Sequence, residues 1–150
     1  MGADMSAIDQ EKLAKLAEVA VRVGLNLQEG QDLILTAPMA ALPLVRLVAA
    51  EAYKAGAGVV TPIFADEAIT LAKFAHGSDA SFDRAPAWLY RGMVDGFANN
   101  AARMAISGDN PMLLAAQDPA RVAQLSKANA MAAKPAMEPI TNFAVANSCP

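Results

Sequence analysis

The chain has 150 residues with 12 basic and 15 acidic side chains, a net charge of −3, and a composition that is 55% apolar but only 5% aromatic. A chain of that length makes one domain, buries about 68–70% of its unfolded surface, and can fold without a disulfide or a metal. Its lysines and arginines are scattered, with no run able to follow a phosphate backbone, which argues against nucleic acid as a partner.

In chain order, residues 1–7 are expected to be a disordered end, and Ser6 with Asp9 fits a capping box that opens a helix. Leu13, Leu16, Ala17, Ala20 and Val21 recur at helical spacing, and Gly24 is expected to take the left-handed position that ends the helix. "LQEGQD" reads as a turn and "LILTA" (33–37) as a strand covered on both faces, stopped by Pro38. A second helix follows, with Pro43 near its first turn and Gly56 just past its end. "GVVTPIFA" (58–65) is the second strand, and Pro62 places it at an edge or distorts it locally.

Asp66 is an N-cap for "EAITLAKFAH", which Gly77 terminates. The polar loop "SDASFDRA" leads through Pro86 to a helix ending near Phe97, with Asn99 and Asn100 in its final turn. "ARMAIS" (102–107) is the third strand, "GDNP" a turn, and "PMLLAAQ" a short helical piece. Asp118 and Pro119 form a cap and first-turn pair for a helix to about Ala133. Pro135 and Pro139 are expected to break it, and Ile140–Val145 to begin a fourth strand.

Helices between successive strands require crossover connections, and crossovers of this length imply parallel pairing. The expected fold is therefore three-layer α/β, with a doubly wound, mostly parallel sheet and helices on both faces. A last strand with nothing after it would lack a covering helix, a liability for a free-standing protein.

One cysteine, Cys149, excludes an internal disulfide framework and fits a reducing, cytoplasmic setting. No run of about 18 apolar residues could span a membrane. Gly2 and Ser6 match a myristoylation pattern, but one short enough to arise by chance, and the opening "MGADMSAIDQ" is no secretory signal.

The residues that carry chemistry are few. His76 is the single histidine, at a helix end, and no His-Glu-x-x-His or Cys-x-x-Cys spacing occurs. Ser107 has no identifiable base, and Cys149 reads as incidental. Gly56-Ala57-Gly58 lies after a helix and before a strand, the wrong order for a phosphate loop, and reads as a connector. Asp66, Glu67 and Asp109 fall just after strands, at the carboxyl edge where doubly wound sheets bind ligands, but capping and turn roles explain them. No catalytic, cofactor-binding or metal-ligating residue is assigned.

Three stretches together resemble a known family. "LAKLAEVAVRVGLNLQEGQDLILTAPMAALPLVRLVAAEAYKAGAGVV", "FADEAITLAKFAHGSDASF" and "ISGDNPMLLAAQDPARVAQLSKANAMAAKP" are similar, in that order, to the opening of the thermophilic metalloprotease family, the aminopeptidase T, S and II type enzymes. The resemblance implies metal-dependent release of N-terminal residues from peptides. It implies two divalent ions (cobalt, zinc or magnesium), commonly a homodimer, and metal ligands in a separate catalytic domain. It makes residues 8–145 the non-catalytic N-terminal α/β domain and 146–150 a non-native or truncated tail, leaving the chain alone inactive. Two alternatives stay open: a stand-alone small-ligand module near Thr36, Asp66 and Asp109, or an interaction piece that pairs through its last strand.

Overall fold

The computed structural model describes residues 9–141 and 148–149. Ser6 and the expected disordered end lie outside them, as does the stretch from 142 to 147. Helix α1 (Gln10–Val19) starts at Asp9, whose carboxylate accepts the Glu11 N–H at 3.0 Å. It continues through a π-helical turn, Ala20–Gly24, closed by the Leu25 N–H on the Ala20 carbonyl at 2.7 Å. The left-handed residue that ends it is Asn26 (φ 49°) rather than Gly24, and the Leu27 N–H reaches back to Val21 at 3.2 Å. Asparagine tolerates that conformation, so the stop sits two residues later than the glycine suggests.

Strand β1 (Leu33–Pro38) feeds a short 3-10 turn, Met39–Ala41, and then α2 (Leu42–Lys54). Pro43 sits in the first turn of α2, and Gly56 past its end takes φ 94°. Strand β2 (Val60–Ala65) is followed by α3 (Glu67–His76), capped by Asp66 through the Ile69 N–H at 3.1 Å. After α3 the 3-10 turn Asp79–Asp83 leads to α4 (Ala87–Ala98) and then β3 (Ala102–Ala105).

The segment "PMLLAAQ" is not helical. It is a series of turns, with the Leu113, Ala115 and Gln117 N–H groups each bonding three residues back. The helix after it, α5, spans Pro119–Thr141 and runs through both Pro135 and Pro139. The fourth strand therefore does not begin at Ile140, which is helical; β4 is Ser148–Cys149.

The sheet order is β2-β1-β3-β4, and all pairs are parallel. Leu33, Leu35 and Ala37 of β1, with Ala102 and Met104 of β3, face one way and pack on Ala17 and Val21 of the first helix and on Val45, Val48 and Ala52 of α2. Ile34 faces the other way, against Gly96 of α4, where an added Cβ would stand 2.5 Å from the Ile34 Cδ1. Helices thus cover both faces of the sheet, as the sequence predicts. The dense core lies on the α1/α2 side.

Two polar devices fix the ends. Gln31, buried, accepts the Gln28 N–H at 3.1 Å and donates to the Asn100 carbonyl at 2.9 Å, tying the turn before β1 to the turn before β3. At the sheet edge, Val59 O accepts from Leu33, whereas the Val60 N–H points outward to the Tyr53 hydroxyl at 3.1 Å. Strand alternation then aims the Pro62 nitrogen outward too, so Pro62 breaks no ladder bond and leaves the edge poor in donors.

Candidate functional site

The chain leaves β1 through α2 on one face of the sheet and reaches β3 through α3 and α4. The two connections diverge between β1 and β3, and the crevice beyond the carboxyl ends of those strands is where doubly wound sheets hold ligands. A cavity of about 420 Å³ opens there. Thr36 and Arg103 enter it from the strands, Tyr90 from α4, and Ser107 and Asp109 from the loop after β3. Phe64, Met93, Met137 and Ile140 form apolar walls.

The loop carrying Asp109 is held by its neighbours. The Ile106 N–H bonds the Thr36 carbonyl at 2.8 Å, and the Asn110 N–H donates to Glu67 Oε1 at 3.2 Å. Asn110 Oδ1 in turn accepts the Met112 N–H at 3.0 Å. Of the carboxylates singled out in the sequence, only Asp109 lines the cavity. Asp66 is engaged as the cap of α3, and Glu67 braces the loop. Thr36 and Asp109 are brought together, and Asp66 is not.

Arg103 and Tyr90 were not legible as site residues. The available signal was the arginine itself, a charge inside a short apolar strand, which on a central strand must face a polar cavity or a partner. His76 ends α3 and is exposed, while Cys149 lies on β4 beside Gly24, so the single imidazole and the single thiol belong to different elements. Glu18, on the surface of α1, has its carboxyl held below the usual range, chiefly by the hydrogen bond from Lys15 Nζ at 2.8 Å. It lines no part of this cavity.

Chemically the site offers hydroxyls, one guanidinium and one carboxylate around an apolar wall, a set suited to holding a small polar-ended molecule. Among the described residues no group of three His, Cys, Asp or Glu side chains could hold a metal ion, and no helix is long and apolar enough to cross a membrane.

Residues 9–148 match the thermophilic metalloprotease (M29) family. The chain is 47% identical over 134 residues to aminopeptidase T of Thermus thermophilus, covering 89% of this chain and 33% of that protein. It is 42% identical to aminopeptidase 2 of Geobacillus stearothermophilus, over 82% of this chain and 30% of that one. Aminopeptidase AmpS of Bacillus subtilis is 33% identical over 79% of this chain. The solved structure of wild-type AmpT from Thermus thermophilus superposes with a TM-score of 0.86, covering 89% of this chain and 34% of the other. The chain thus spans about a third of the length of the relatives it matches.

Proposed function

Because this chain belongs to the thermophilic metalloprotease (M29) family, we propose that it is the N-terminal, non-catalytic α/β domain of a metal-dependent aminopeptidase. Its task in that protein is to shield the catalytic part and help enclose the space where peptides bind. The observation that carries this reading is the superposition of nearly the whole chain, at a TM-score of 0.86, on only 34% of a relative named an aminopeptidase.

The described residues do not fit a two-ion centre. The chain has one histidine and one cysteine, and its described carboxylates do not cluster with them. The divalent ions the family implies belong, on this reading, to polypeptide outside these 150 residues, as do peptide binding and the homodimer contact. The pairing of β4 with β3 and the family match to residue 148 support drawing the domain from residue 8 through β4 rather than closing it at Val145. A solitary cysteine suits a reducing compartment.

The test is direct. The purified 150-residue chain, given aminoacyl p-nitroanilides with cobalt, zinc or magnesium, should show no turnover above the blank. Metal-dependent release of p-nitroaniline by this chain alone overturns the reading.

A further inference from the structure

Helix α1 carries more apolar surface than the fold covers. Ala17 and Val21 are fully buried, but Leu16 and Val19, one turn apart on a neighbouring stripe, remain 53% and 44% exposed. They are not scattered surface residues. With Ala20 they form one wall of a groove of about 520 Å³, with Leu44 and Val48 of α2 opposite and Met104, Ile106 and Cys149 along the floor. Contiguous exposed apolar surface of this kind marks a place that another surface covers.

We propose that this groove is filled by an apolar segment of the polypeptide that continues past β4 in the longer protein. The inference rests on the reading of this chain as one domain of a longer peptidase. Three observations name this occupant. Cys149 of β4 is itself part of the floor, so chain leaving β4 emerges beside the groove. β4 is the outermost strand of the sheet, with no strand beyond it among the described residues. The chain accounts for only 33% of the length of a relative 47% identical to it, which leaves ample polypeptide to fold back over the α1/α2 face. Gly24 fits the same picture: an added Cβ there would stand 3.3 Å from the Cys149 Sγ, so β4 and the π-helical turn that extends α1 approach closely along the groove floor.

The experiment places Leu16→Glu with Val19→Glu in two backgrounds: the 150-residue chain, and a full-length protein in which this chain replaces the matching third of Thermus thermophilus aminopeptidase T. Both positions are about half exposed in the chain by itself, so its Tm should move by no more than about 2 °C. In the full-length protein the same pair should lower Tm by about 5 °C or more and speed proteolysis. Leu16→Gln alone should give a smaller loss of the same sign, and serves if the double variant of the full-length protein does not fold. An unmoved Tm in the full-length background overturns the proposal. A full-length dimer that dissociates on substitution also overturns it, by giving the groove to a second copy. Loss of peptidase activity in the unsubstituted full-length protein counts against the functional reading alone, since the Tm comparison does not require turnover.

Discussion

At the scale of single residues, Gly58 shows how a motif and its reason can be told apart. A Cβ on Gly58 would stand 2.5 Å from Asp32 Oδ1 and 3.0 Å from the Gly30 carbonyl oxygen. Asp32 needs that position, because its carboxylate accepts the Val59 N–H at 2.9 Å, and the Gly30 N–H meets the Gly56 carbonyl at 2.7 Å. The Gly-x-Gly pair thus lets two turns lie against each other, the connector role its place in the sequence suggests. Gly58→Ala should destabilise the chain by about 1–3 kcal/mol, whereas Gly92→Ala, inside α4 with open space around its Cβ, should stabilise it by about 0.5–1 kcal/mol. Urea midpoints of the two variants check both signs. The same scale holds a residue the sequence hides. Phe82 lies in a polar loop, yet it is fully buried, edge-on to Phe74 at 5.2 Å, with Lys73 and Arg121 over its ring. One aromatic among polar neighbours has no periodicity to reveal it.

At the scale of elements, caps were the most legible signals and proline breaks the least. Asp66 and Asp118 both cap the helices the sequence assigns to them, through the N–H groups of Ile69 and Ala120. Asp66→Ala should therefore cost about 1 kcal/mol in chemical denaturation, and Asp66→Ser should recover most of it. A similar loss with Ser as with Ala would show that the charge rather than the cap matters. Helix α5 continues past Pro135 and Pro139 although each removes an N–H and costs a straight helix about 3 kcal/mol. Ala136 is buried there and Met137 and Ile140 line the cavity, so tertiary packing offsets a local penalty that sequence reasoning counts as decisive. Two residues assigned to the last strand, Ile140 and Thr141, belong to this helix; the rest of that assignment lies outside the described residues, among which β4 is Ser148–Cys149.

At the scale of the whole molecule, β4 is the piece on which the sheet edge depends. It pairs Ser148 and Cys149 with Arg103 and Met104, and Met104 is 3% exposed. Deleting residues 148–150 should uncover that edge, lowering Tm by several degrees and promoting concentration-dependent association, seen by size exclusion. An unchanged Tm with no association would mean that β3 tolerates an open edge. Much of the local order along the chain was written in the sequence: the first three strands as short apolar runs, most helix starts by period and cap, parallel pairing from the crossovers between strands, and the family from motifs in series. These signals act over neighbours a few residues apart, where sequence spacing and physical distance coincide. Only the tertiary structure decided the strand order β2-β1-β3-β4, the meeting of Thr36, Arg103 and Asp109 at the carboxyl edge, and which stripe of α1 is left uncovered. Those outcomes depend on contacts such as Gln31 with Asn100 and Glu67 with Asn110, whose partners are 69 and 43 residues apart. No local pattern encodes such partners, because what selects them is the closure of the whole fold around one core.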